Sequence, residues 1–290
     1  MKRTLKIAAL FYTLCLAFGA GAQDIYVSTD GNDSNPGTKE KPVSTLEAAR
    51  DLIRQYKAIN DLPKGGITVW IGKGQYDQAV SHFKVAIEIS PDDATAHNAL
   101  GAAYIATREP IQAIVHCKAA LKVNPEDTAA RANLAAAMAM AGLPHEAIPH
   151  FEKALAANPD SLDTRSNLAY ALLETGRREE AVSHLKKALE LSPNSTHLNY
   201  YLGRTLVETG KPGEAIPSLE RAAQLSGRRD PVVLDALAVA YAEVDRFTEA
   251  VEAAEAALYL AKRQNNSVLV EALETKITAF KTRTGTELTQ

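Results

Sequence analysis

The feature that most constrains this chain is a spacing of 34 residues. Pro91, Pro125, Pro159 and Pro193 recur at that interval, and so do Ala79, Ala113, Ala147, Ala181 and Ala215, and again Ala86, Ala120, Ala154, Ala188 and Ala222. A bulkier row, Phe83, Cys117, Phe151, Leu185 and Leu219, runs in the same register. A period of this length means that one supersecondary unit is repeated, and that each unit buries its apolar face against the next.

Each unit contains two stretches with apolar residues at helical spacing, for example Leu134, Ala135 and Met138 followed by Ala147, Phe151 and Ala154. Gly142, Gly176 and Gly210 break the two stretches apart, and the proline closes the second because it cannot continue a helix. The unit is therefore helix, turn, helix, turn. A row of small residues, Gly101, Ala135, Ala169, Gly203 and Ala238, is expected to let the two helices approach closely.

The paired positions Leu100-Gly101 with Tyr104, Leu134-Ala135 with Met138, Leu168-Ala169 with Leu172, Leu202-Gly203 with Leu206 and Leu237-Ala238 with Tyr241 resemble the signature of the tetratricopeptide repeat (TPR) family. The resemblance implies a mostly α fold, a TPR α-solenoid in which helix-turn-helix repeats wind into a right-handed superhelix. Five units are expected at 94–127, 128–161, 162–195, 196–230 and 231–264, the last starting one residue late because Gly227 stands where proline would. An orphan second helix of a truncated repeat precedes them at 75–93. An amphipathic stretch over 267–283, with Leu269, Leu273 and Ile277 on one face, is expected to cap the array within a final segment 265–290.

The front end does not follow the period. Lys2, Arg3 and Lys6 precede an apolar run ending near Phe18, and Ala20-Gly21-Ala22 supplies small residues at a cleavage site, so residues 1–22 read as a secretory signal peptide. The expected location is exported, periplasmic or extracellular. Removal of that segment takes three positive charges and shifts the formal net charge from −3 to −6.

Residues 23–74 read as a small α+β segment: a strand over Asp24 to Ser28, a loop from Asp30 to Gly37, a helix over 45–58 and a strand at Ile67 to Ile71. Ile25-Tyr26-Val27, Asp30-Gly31, Lys41-Pro42, Thr45-Leu46-Glu47-Ala48-Ala49, Gly65-Gly66 and Gly74-Gln75-Tyr76 resemble the N-terminal cap of secreted pectate-lyase-like parallel β-helix proteins. No β-helix coils follow, so the chain is expected to be a chimaera joining such a cap to a repeat array.

Charge and composition exclude several functions. With 46% hydrophobic residues and a charge near zero, the chain is globular and shows no field that would attract nucleic acid. After signal removal no membrane span is expected, and Cys117 alone remains of the 2 cysteines, so no internal disulfide forms. His82, His116, His150 and His184 also fall on the period, but no carboxylate or Cys row completes a metal site; they read as a half-exposed helix edge. Cys117 lies in the bulky row and reads as packing. No cofactor and no catalytic residue is expected, and the chain reads as a non-enzyme.

What remains is surface. The resemblance implies that the first helix of each pair lines a concave groove, and Asn98, Asn133, Asn167, Tyr170, Tyr200, Tyr201 and Arg204 lie on those helices. Asn133 and Asn167 occupy one row a repeat apart, and an amide side chain both donates to and accepts from a peptide backbone. Tyr201 beside Tyr200 and Arg204 suggests an aromatic anchor. The expected function is an exported scaffold or adaptor holding a protein or peptide in that groove. The rival readings are a polysaccharide-binding protein that uses residues 23–74, with the repeats as spacer, and a fusion with no evolved task.

Overall fold

The computed structural model describes residues 6–7, 23–27, 34, 48, 67–71, 79–80, 83–84 and 86–283. Three strands, β1 (Lys6–Ile7), β2 (Gln23–Val27) and β3 (Ile67–Ile71), form a parallel sheet in the order β1-β3-β2. Ile25 lies opposite Val69, and Lys6 opposite Thr68. Apart from Ser34 and Ala48, the loop over 30–37 and the helix expected over 45–58 lie outside the described residues, as does the tail 284–290. Helical residues appear at 79–80, 83–84 and 86–89, and eleven helices follow among the described residues.

The first helices of the pairs are α1 (Ala94–Ala106), α3 (Thr128–Met140), α5 (Leu162–Glu174), α7 (Thr196–Glu208) and α9 (Pro231–Ala242). Their partners are α2 (Pro110–Val123), α4 (Pro144–Ala157), α6 (Arg178–Leu191), α8 (Pro212–Leu225) and α10 (Phe247–Arg263), and α11 (Ser267–Arg283) comes last. The chain divides into two compact units, Met1–Asn158 and Pro159–Gln290. In the first, α1–α2 and α3–α4 are packed pairs; in the second, α5–α6, α7–α8 and α9–α10 pair, and α11 packs on α10.

Local chemistry explains where the helices start and stop. Every first helix has a capping side chain: Asp93, Asp127, Ser161, Ser195 and Asp230 each accept from backbone N–H groups of the first turn, as in Ala130 N–H to Asp127 Oδ1 at 3.0 Å. The second helices lack such caps. Three of them open instead on a proline, Pro110, Pro144 or Pro212, whose fixed φ suits the first helical position. Between partners the chain reverses through one left-handed residue, Gly142 and Gly176 at φ 77° and Gly210 at φ 73°. At the same row Arg108 and Asp245 adopt φ 63° and 60°, so a side chain accepts there the conformation that glycine takes at no steric cost.

The periodic rows are the core. Ala113, Ala147, Ala181, Ala215 and Ala250 are fully buried, as are Cys117, Phe151, Leu185 and Leu219. Burying a side chain such as Phe151 or Leu185 contributes about 1.5–3 kcal/mol relative to leaving it in water. The small-residue row does bring helices together: a Cβ added at Gly101 would lie 2.5 Å from Cys117 Sγ, and one at Gly203 would lie 2.8 Å from Leu219 Cδ2. Leu273 and Ile277 of α11 join the core of the second unit, and Lys276 of α11 donates to both Asp235 oxygens of α9 at 2.6 and 2.8 Å.

Candidate functional site

All seven residues singled out from the sequence lie on first helices, and they fall into two groups because the chain divides between them. In the first unit, Asn98 on α1 and Asn133 on α3 are half-buried and bonded to each other, Asn133 Nδ2 donating to Asn98 Oδ1 at 2.8 Å. The two side chains therefore act as one platform, which keeps the Asn98 amino group as donor and the Asn133 oxygen as acceptor for an incoming backbone.

The second group belongs to the second unit. Tyr170 of α5 and Tyr201 of α7 pack with ring centroids 4.7 Å apart and tilted by 55°, and Tyr200 meets Tyr201 edge-on at 5.4 Å. Aromatic pairs favour such offset and edge-on geometries. Burial, with Tyr201 beside it, pushes the Tyr170 phenol up to about 12, so its hydroxyl stays protonated and can donate. All three rings are half-buried, with part of each facing solvent.

Beside them, Glu208 accepts from Arg204 Nε and from Arg178 Nε, both at 2.8 Å. Burial alone would raise the Glu208 carboxyl, but the two guanidinium groups outweigh it and hold the carboxyl below its ordinary range. Two arginines sharing one carboxylate leave a net positive charge next to the tyrosines, with Arg204 further held by Tyr200. Asn167 is half-buried one turn before Tyr170 on α5. The structure thus gathers Tyr170, Tyr200, Tyr201 and Arg204 into one cluster and joins Asn98 to Asn133.

Cys117 is fully buried, and its thiol is pushed up to about 12, first by burial and then by Asp127, so it is neither exposed nor ionised. No group of three or more His, Cys, Asp or Glu side chains placed to hold a metal ion occurs among the described residues. No helix among them is long and apolar enough to cross a membrane.

Two features escaped the sequence reading. A cavity of about 450 Å³ in the first unit is lined by Lys84, Glu88, Tyr104, Glu109 and His116 among others. Its walls come from three helical segments, which no single motif signals. His116, half-exposed on its helix edge as expected, also makes contacts that the sequence does not signal. It stacks on Tyr104 with centroids 5.7 Å apart, and its Nδ1 lies 3.0 Å from His97 Nδ1.

Packed helix pairs with small residues at each crossing, left-handed reversals between partners and polar or aromatic groups displayed on the first helices define a helical-repeat protein of the kind built to present a surface. The chain belongs to the tetratricopeptide repeat family. One tetratricopeptide repeat model matches residues 112–161, 166–233 and 200–266, more than half of the chain; a second matches 138–185, and a TPR repeat model matches 72–107.

Among solved structures the chain resembles YrrB, a TPR protein with an unusual peptide-binding site, at 21% identity and a TM-score of 0.60, over 68% of this chain and 99% of that one. It also resembles MamA (MSR-1) at 22% identity and a TM-score of 0.55, over 59% of this chain and 98% of MamA. At these identities the likeness is one of fold. No curated protein matches the sequence.

Proposed function

We propose that this chain is an exported, non-enzymatic TPR scaffold that holds an extended segment of a partner protein against the exposed faces of its first helices. The observation that carries the reading is the tyrosine cluster. Three half-buried rings from two neighbouring helices, flanked by the Arg178–Glu208–Arg204 network, offer rigid apolar area with polar tips. Such aromatic and arginine groupings dominate interface energetics. The Asn98–Asn133 pair supports the same reading, because its leftover donor and acceptor match an extended backbone. The peptide-binding site of YrrB shows that a repeat array of this fold can bind peptides.

Export rests on residues 1–22, and cleavage after Ala22 would also remove β1. The scaffold reading over a catalytic one is supported by the buried, protonated Cys117. A second reading, polysaccharide binding by residues 23–74, draws support from the parallel pairing of β2 with β3, since strands of a parallel β-helix pair in that way.

Selection of short random peptides on the full chain tests the first reading. Peptides that bind should lose affinity on Tyr201→Ala by tenfold or more, the order of a hot-spot loss. Equal binding by wild type and by a folded Tyr170→Ala/Tyr201→Ala variant would overturn the site. Retention on immobilised polysaccharide, with no peptide selected, would favour the second reading.

A further inference from the structure

Four of the five helix pairs carry a side-chain donor at one row of the first helix. His97, Arg131, Arg165 and Asn199 occupy one row of the first helices, and each donates to the carbonyl of the repeat-closing proline six residues earlier. His97 Nε2 reaches Pro91 O at 3.0 Å, and Asn199 Nδ2 reaches Pro193 O at 3.1 Å. The Nη2 atoms of Arg131 and Arg165 reach Pro125 O and Pro159 O. The residue types differ while the task is the same: a side-chain N–H fastens the inter-repeat turn to the helix that follows it.

Nineteen positions further on, on the second helix of each pair, stand His116, His150, His184 and Ser218. Thus a histidine accompanies the donor in the first three pairs. In the first pair the hydrogen bonds define the tautomers. Pro91 O can only accept, so His97 Nε2 carries a proton, and His97 Nδ1 then accepts from His116 Nδ1–H. In the second and third pairs the neighbour is a permanent cation, Arg131 or Arg165. Arg165 is buried, and its Nε and His184 Nδ1 are the buried side-chain nitrogens without a hydrogen-bond partner among the described residues. A neutral His184 can present Nδ1 as an acceptor; a charged one presents only donors.

We propose that the histidine beside the donor makes each of the α1–α2, α3–α4 and α5–α6 pairs acid-labile, so that mild acidification loosens them while α7–α8 and α9–α10, which carry Asn199 with Ser218 and Leu234 with Ala253 at the equivalent positions, stay closed. His150 and His184 lie mostly among cations, whereas His116 shares its cavity with Glu88 and Glu109 as well as Lys84. His116 feels His97 and Lys84; His150 feels Arg131, Lys118 and Lys153; His184 feels Arg165, Lys187 and Arg177, with only Glu180 opposing. Glu180 is itself held by Arg177 at 2.7 Å.

Burial first, and then these charges, lower the proton affinity of all three. In the unfolded chain they take protons near the ordinary histidine value of about 6.5. The unfolded state therefore binds more protons as pH falls below that value, and stability is complete above it and lost on the way down to each lowered folded value.

Hydrogen exchange of the full chain at pH 7.5 and pH 5.5, corrected for intrinsic rates, tests this. The amides of His97, Arg131 and Arg165, each bonded to the carbonyl of its helix cap, should lose protection by on the order of tenfold relative to the equivalent amides of Asn199 and Leu234. In a His116→Gln/His150→Gln/His184→Gln variant that selective loss should disappear. Uniform loss across all pairs, or the same selective loss in the variant, would overturn the proposal. Should the variant not fold, histidine ring-proton titrations of the wild type decide: values below 6.5 for residues 116, 150 and 184 support it, and values at or above 6.5 refute it.

Discussion

Gly203→Ala is a sharp test of the packing scheme, because two effects of opposite sign meet at one position. Ala is favoured over Gly within a helix by about 0.8–1.0 kcal/mol. Against that, the new Cβ would fall onto Leu219 Cγ, within 2.8 Å of Leu219 Cδ2 and 3.2 Å of Ala215 O. Leu219 is fully buried, and the branch carbon it presents cannot swing aside as the end of a long side chain would. Overpacking of this kind costs about 1–3 kcal/mol. The α5–α6 pair carries Ala169 and Leu185 at the equivalent rows, both buried, so the combination is permissible once helices sit slightly apart. That places the expected cost at about 1–2 kcal/mol.

Gly213→Ala in α8 is the reference, since nothing lies within 4 Å of its added Cβ. The subtraction removes the helix-propensity gain. Thermal unfolding should place Gly203→Ala below Gly213→Ala by about 1–2 kcal/mol, or roughly 2–8 °C in Tm for a chain of this size. In a Leu219→Ala background only the 3.2 Å approach to Ala215 O remains, and most of the cost of Gly203→Ala should disappear there. A Gly203→Ala protein as stable as Gly213→Ala, or one whose response is unchanged by Leu219→Ala, would refute the close-approach account.

Asp127→Ala removes the side chain that accepts from Ala130 N–H and should cost about 1 kcal/mol in urea unfolding, whereas Asp160→Ala, exposed in the turn between α4 and α5, should cost little. Arg108→Gly relieves a left-handed residue with a side chain and should raise stability by up to about 1 kcal/mol; a loss would show that Arg108 makes a contact worth more than the strain. Cys117 should resist alkylation at pH 8 in the folded protein and react fully in denaturant, because its thiol is buried and ionises only near 12; rapid labelling of the native chain would contradict the burial.

The repeat was legible because identical residue types recur where packing admits little choice: alanine where helices touch, proline where they end, glycine where the chain reverses. The left-handed residues Arg108 and Asp245 were not legible, since the pull of the surrounding turn overrides their own preference. Pro149 and Pro217 sit inside α4 and α8, where a rule that proline breaks helices would place an end; each lies only in the second turn and sacrifices a single backbone bond.

The donor row escaped notice because His97, Arg131, Arg165 and Asn199 share a hydrogen-bonding role and no chemical likeness. The Asn98–Asn133 bond joins residues 35 apart, one off the period, so a search along aligned rows passes over it. The tyrosine cluster was easier to see, because Tyr200 and Tyr201 are adjacent in sequence and Tyr170 lies one repeat back from Arg204.

The most direct trial of the scaffold reading is photo-crosslinking of a selected peptide from two positions, with a benzophenone side chain placed at Tyr201 on α7 or at Lys187, an exposed residue of the second helix α6. Transfer from position 201 with none from 187 is the predicted outcome. Transfer from 187 alone would show that the partner rides on the second helices, and that the aromatic face of the first helices is not where it is held.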